Sequence, residues 1–195
     1  MELLNEIRKY YNTGVFPKQA VNEAYFLFEA FSNEELSEDN ETERDDVLNK
    51  IKMDKFVVND YPSFFENLYS GKRKSFLSQY TPEEFKENGV KTYQVEGYPI
   101  GFALKPDKDG VDIISVHNNS GVRNIGDELI SAAVRLGGTK LDHFDGFLSD
   151  LYQKHGFDEY ERYKWDDAYA PEEWNYEKYG RPDVVYRRLN KNPQG

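Results

Sequence analysis

The sequence has no cysteine, which excludes disulfide staples and thiolate chemistry and fits a reducing compartment. Its 3 histidines have no HExxH-like spacing, so there is no zinc signature. A Gly-x-Ser-x-Gly elbow and a Gly-rich Walker loop are both missing, which removes two common nucleophile and phosphate-binding schemes. No apolar run approaches ~18 residues, and the start, Met1-Glu2-Leu3-Leu4-Asn5-Glu6, is already polar. The expectation is a soluble, cytoplasmic protein with no membrane partner. Basic stripes are lacking too: Lys72-Arg73-Lys74 and Arg187-Arg188 are short, and the formal charge is −11. That argues against nucleic acid, whose phosphates need a basic surface. A net acidic surface keeps a chain soluble and favours cationic substrates or partners.

What the chain does have is rings. With 15 Tyr and 13 Phe in 195 residues, it can build a core from few large side chains despite its low mean hydropathy. The length suits one domain, or one domain with an elaborated N-terminus.

Residues 1–14 read as a helix ending at Asn12-Thr13-Gly14. Pro17 opens another, to Phe31, with Val21, Ala24, Tyr25 and Phe28 at helical spacing. Asn33 to Asp46 carries eight acidic residues against one Arg, a loop or the exposed face of a helix, and its order of acids matches no calcium loop. Lys55 to Val58 suits a short strand. Tyr61 to Tyr69 suits a helix with Phe64, Phe65, Leu68 and Tyr69 inward. Thr81-Pro82 starts a further helix that Gly89 stops. From Val90 the period alternates. Lys91 to Val95 and Tyr98 to Leu104 form a hairpin across a two-residue turn, Glu96-Gly97. Asp107 to Gly110 turns again into a strand from Val111 to Val116. A helix, Gly126 to Leu136, follows, with Asp127 and Glu128 in its first turn. Then come a strand (Thr139 to His143), a helix (Phe147 to His155) and two strands (Phe157 to Trp165 and Pro182 to Leu189) around an aromatic insertion, Asp166 to Arg181. The plan is α+β or mixed α/β around one sheet, and the helix after Val111 to Val116 makes its flanking strands parallel neighbours or near neighbours.

That order of elements, with Leu151-Tyr152-Gln153-Lys154-His155-Gly156-Phe157 closing the helix from Phe147, resembles the GCN5-related N-acetyltransferase (GNAT) superfamily over Val90 to Leu189. The run LDHFDGFLSDLYQKHGF with the later APEEW and RPDVVYRRL is similar to a divergent branch found in phages and prophages, which implies a host-cytoplasmic location. The resemblance implies a central, mostly antiparallel sheet flanked by helices. Residues 81–195 would form the acyltransferase-like domain, and residues 1–80 a helical region packed on it or preceding it. It implies acetyl-CoA as acyl donor and a small-molecule or protein amine, cationic in keeping with the chain's charge, as acceptor. The donor would lie along Val116, Gly121, Val122, Arg123, Asn124 and Gly126. Gly121, Asn124 and Gly126 fall on the three positions of the family's phosphate-binding turn. Only Gly126 matches the pattern there, with Arg123 near enough to supply charge and Asp127 and Glu128 needing to point away.

Tyr152 falls where many members place a tyrosine as general acid to the leaving thiolate; the plainer reading is an inward aromatic packed on the sheet. Asp142, His143 and His117, at the ends of strands, are the candidate bases, and alternation puts Asp142 and His143 on opposite faces. Asp145-Gly146 reads as a turn, and Asn118-Asn119-Ser120-Gly121 as another. Trp174, Tyr176 and Tyr179 would form a lid, a partner surface or a cover for the open edge of the core. The residues leave a second function class open: a catalytically inactive phage accessory protein of the same fold that binds a host or virion protein.

Overall fold

The computed structural model describes residues 38–70, 80–170, 174 and 176–190, so the helices expected over 1–14 and from Pro17 to Phe31 lie outside the described residues. The acidic run resolves into helix from Glu38 onward: α1 spans Glu38–Lys52. Glu41, Glu43, Asp45 and Asp46 are exposed on it, while Val47 and Ile51, one turn apart, are fully buried. After β1 (Phe56–Val58) comes α2 (Tyr61–Tyr69). Asp60 caps α2 by accepting from Ser63 N–H, and Pro62 sits in the first turn, where no N–H is needed. α3 (Pro82–Glu87) opens with a full capping box. Thr81 Oγ1 accepts from Glu84 N–H, and the Glu84 carboxylate accepts from Thr81 N–H.

The strands β2 (Lys91–Val95), β3 (Ile100–Asp107) and β4 (Gly110–Asn118) form a meander. The turn between β2 and β3 corrects the two-residue reading. Gln94 pairs with Gly101, so four residues, Glu96 to Pro99, make the loop. Tyr98 bends back, its N–H bonded to Val95 O and its hydroxyl to Asp46 Oδ2 at 2.8 Å, and Pro99 has no N–H to offer a strand partner. α4 (Gly126–Arg135) then crosses to β5 (Lys140–Phe144), followed by α5 (Phe147–Lys154), β6 (Phe157–Tyr163), a short 3₁₀ turn (Asp167–Tyr169), a one-turn helix α6 (Tyr176–Tyr179) and β7 (Val184–Leu189).

The seven strands form one sheet in the order β1-β2-β3-β4-β5-β7-β6, antiparallel throughout except for β4 and β5, which the α4 crossover makes parallel. The fold is mixed α/β, a mostly antiparallel sheet flanked by helices. Alternation along the strands sends Phe102, Ile113, Val116 and Leu141 to a core shared with Val47 and Ile51 of α1, Leu129, Ile130, Ala132 and Ala133 of α4, and Leu148, Leu151 and Tyr152 of α5. Ala103 and Ile114 face the other way, onto Phe64, Phe65 and Leu68 of α2 and Phe85 of α3. On that second face Phe144 and Val184 pack with Trp174, so this ring of the insertion covers part of the sheet. β1 pairs with β2, and α1 and α2 each fill a core, so the described part of residues 1–80 is built into the same sheet.

Candidate functional site

β4 and β5 meet at a single register pair, Asp112 with Lys140. Lys140 pins that point, its ammonium bonded to the Asp107 carboxylate and 3.5 Å from that of Asp112. Further along, β4 runs on to Asn118 and β5 to Phe144 without pairing to each other. The cause is local. Ser115 adopts φ +52°, and between the pairs Ala103–Ile114 and Gly101–His117 two residues of β4 stand opposite one of β3, a bulge that bends β4. The result is a V-shaped opening in the middle of the sheet, a gap between the two parallel strands.

Beyond the bulge the chain enters a turn held by side chains. Asn118 Oδ1 accepts from Ser120 N–H and its hydroxyl, Ser120 Oγ accepts from Val122 N–H, and Asn118 Nδ2 donates to Val122 O. Asn119 Nδ2 donates to Asn67 O at 2.6 Å, tying the turn to the last carbonyls of α2. Gly121 (φ +82°) and Asn124 (φ +58°) supply the two left-handed positions, as expected of a glycine and an asparagine. The chain then enters α4 through Ile125, which offers no side-chain cap to the first-turn N–H groups. Gly121 and Asn124 are exposed and Arg123 half-exposed, whereas Val116 and Val122 send their side chains into the core and could meet a ligand only through backbone.

The two acids of the first turn are both engaged elsewhere. The Asp127 carboxylate bonds Lys154 Nζ and lies 2.9 Å from His155 Nε2, at the end of α5. Glu128 reaches along the helix to Arg135, 3.7 Å away.

The structure divides the four residues expected to do chemistry into two pairs. Tyr152, 1% exposed, and His143, fully buried, lie on the α5 face with ring centroids 4.9 Å apart. His117 and Asp142 lie on the opposite face, His117 with its ring edge-on to Phe64 of α2 at 5.0 Å. His143 is held at both ring nitrogens. Its Nδ1 lies 2.6 Å from Phe144 O, and its Nε2 accepts from Arg187 Nε at 2.9 Å, so both ring nitrogens are occupied. Burial and the neighbouring Arg187 charge push its pKa down to about 4. The His117 ring is also neutral at pH 7, its pKa lowered to about 4 by burial. Here only Nδ1 is engaged, 3.0 Å from Ser115 O, and Nε2 is buried without a hydrogen-bond partner among the described residues. A carbonyl can only accept, so Nδ1 carries the proton and Nε2 is a bare acceptor.

Two residues near these are not evident as site residues from sequence. Arg187, 6% exposed, donates to His143 and to Phe157 O. Tyr186 pairs across the strands with Asp142, and burial, then the Asp142 charge, raises its pKa. Period-two alternation through Val185 would turn Arg187 inward, a signal hidden by its reading as half of a basic doublet. Among the described residues no cluster of His, Asp and Glu could hold a metal ion, and no helix is long and apolar enough to cross a membrane.

No protein-family model and no curated protein matches the sequence. Solved structures do. An acetyltransferase of Bacillus subtilis, in complex with CoA, is 19% identical with a TM-score of 0.39, over 55% of this chain and 80% of that one. An N-acetylglutamate synthase of Neisseria gonorrhoeae, complexed with coenzyme A and N-acetyl-glutamate, is 15% identical with a TM-score of 0.42. That match covers 70% of this chain, which spans 35% of the synthase. At these scores the likenesses carry no argument about chemistry.

Proposed function

We propose that the chain is an acyl-CoA-dependent N-acetyltransferase acting on a primary amine. The observation that carries this reading is the V between β4 and β5, opened by the Ser115 bulge and leading straight into a turn and an uncapped helix N-terminus. Such a terminus favours phosphate oxygens, because its N–H groups and dipole both point outward. The diversion of Asp127 to Lys154 and His155, and of Glu128 to Arg135, removes the two carboxylates that would oppose a pyrophosphate there. The donor, acetyl-CoA, then lies along Val116 to Gly126, held by backbone at Val116, Val122 and Gly126 and by the exposed Gly121, Arg123 and Asn124.

In the reaction the amine nitrogen attacks the thioester carbonyl, a C–N bond forms, and the C–S bond breaks as the adduct collapses. Tyr152 donates a proton to the departing thiolate from the α5 face. His117, with its free Nε2 lone pair on the other face, accepts the proton shed by the nitrogen. A weakly basic imidazole suits that step, since the nitrogen of a tetrahedral adduct is far more acidic than a free alkylammonium. Asp142, on the His117 side of the sheet, adds negative charge that favours a cationic acceptor, in keeping with the net charge of −11. Residues 81–195 carry these roles, with Phe56–Val58 adding the edge strand of the sheet. The run LDHFDGFLSDLYQKHGF with APEEW and RPDVVYRRL supports a phage or prophage origin and a place in the host cytoplasm.

The test is ligand-dependent melting. Acetyl-CoA should raise the melting temperature of the wild type in proportion to the logarithm of its concentration, and Gly126→Trp, which fills the start of α4, should lose the rise. No shift at millimolar acetyl-CoA would remove the donor and with it the reading.

A further inference from the structure

Beneath α2 the sheet carries a row of polar side chains in an otherwise aromatic setting. Gln94 of β2, Gly101 of β3 and His117 of β4 are consecutive register partners on the α2 face, and Thr92 is the next same-face residue along β2. Three side-chain atoms here are buried without a hydrogen-bond partner among the described residues: Thr92 Oγ1, Gln94 Oε1 and His117 Nε2. Buried polar atoms are nearly always paired, so three on one patch call for a partner that the described residues do not supply. Glycine in the middle of the row is what lets the ring lie there, because a Cβ at Gly101 would stand 3.0 Å from His117 Cε1.

The chemistry of the three atoms identifies that partner. His117 Nε2 can only accept, since Nδ1 carries the ring proton toward Ser115 O. Gln94 directs its amide nitrogen to Ser63 Oγ at 3.5 Å, leaving Oε1 as an acceptor. The Thr92 hydroxyl accepts as readily as it donates, and its neighbour Asn59 is occupied with the Thr92 backbone N–H. Three acceptors on one patch demand a group with several N–H donors and no acceptor, and a primary ammonium is the smallest one. Gln94 and Ser63 are half-buried and His117 is fully buried.

We infer that Thr92, Gln94 and His117 form a receiving pocket for the –NH₃⁺ of a primary alkylammonium, with Gln94 and Thr92 as specificity-determining residues. The inference rests on the acyl-transfer reading only for the steps after binding: the ammonium gives one proton to water, the neutral amine attacks, and His117 takes the second proton from the adduct nitrogen. Binding itself is read independently of catalysis.

The probe is ethylammonium chloride, added to the full chain with ¹⁵N-labelled histidine, with tetramethylammonium, a cation without N–H, as control. Ethylammonium should move the His117 Nε2 resonance saturably, and tetramethylammonium should leave it in place. Thr92→Val and Gln94→Leu keep shape while removing an acceptor. Each should keep the melting temperature and weaken ethylammonium roughly tenfold or more, whereas Gln94→Glu should tighten it. A response equal for both cations, no saturable response, or one unchanged in Thr92→Val and Gln94→Leu would overturn the pocket. Melting with acetyl-CoA is measured on the same samples. An ammonium response without an acetyl-CoA shift leaves the pocket standing and removes acyl transfer, and the reverse result does the opposite.

Discussion

A guanidinium inside a protein is tolerable only when its donors find acceptors and the acceptors gain by it. Arg187 meets that condition with a histidine, through His143 Nε2, and with a backbone carbonyl, Phe157 O. Removing the side chain orphans both acceptors at ~1–3 kcal/mol apiece, so Arg187→Ala should lower the unfolding free energy by about 2–6 kcal/mol. Urea denaturation measures this, and a loss well under ~1 kcal/mol would contradict the pairing. The same contact engages His143, which looks usable as a base from sequence. A histidine at a strand end, beside Asp142 and Asp145, has the composition of a catalytic position, and the residue that donates to its Nε2 lies 44 positions later. His117 stands out less in the sequence, and its Nε2 is the ring nitrogen left without a partner among the described residues.

At the scale of elements, local chemistry was legible and pairing was not. Asp60 with Pro62, and Thr81-Pro82 with Glu84, carry their own caps within four residues, so α2 and α3 begin where the residues say. The strands follow from alternation. The length of the β2–β3 loop, the insertion of β7 between β5 and β6, and the bulge at Ser115 depend on partners far along the chain, which no window of sequence contains. The bulge is where element and site meet, and it places a serine at φ +52°. A β-branched side chain is poorly tolerated there and glycine is at ease, so Ser115→Val should cost ~1–3 kcal/mol while Ser115→Gly stays near neutral. Paired denaturant titrations separate the two, and equal stabilities would mean that the bend does not depend on that backbone conformation.

For the whole molecule, the two buried imidazoles set the response to acid. Both fold with pKa values near 4, below the ordinary 6.5, so in that interval the unfolded chain binds more protons than the folded one. Stability is therefore complete above about pH 6.5 and falls as pH drops toward 4, by on the order of 3 kcal/mol per ring. Paired carboxylates such as Asp145 and Asp183, held low by Arg162 and Lys164 respectively, give way only further down. Unfolding free energy measured against pH should show the histidine limb first, and His143→Gln should flatten part of it. A profile level from pH 7 to 4.5 would contradict the neutral burial of both rings. The single junction of β4 with β5 also has a mechanical meaning. Six residues of β4, at ~3.3 Å each, extend from Asp112 to Asn118, a lever arm of about 20 Å from a fulcrum clamped by Lys140. A rotation of ~5° there carries the far end about 1.7 Å, the order of a hydrogen bond made or lost. Lys140 and its two carboxylates thus sit at the one register pair of the parallel strands, at the other end of β4 from the turn.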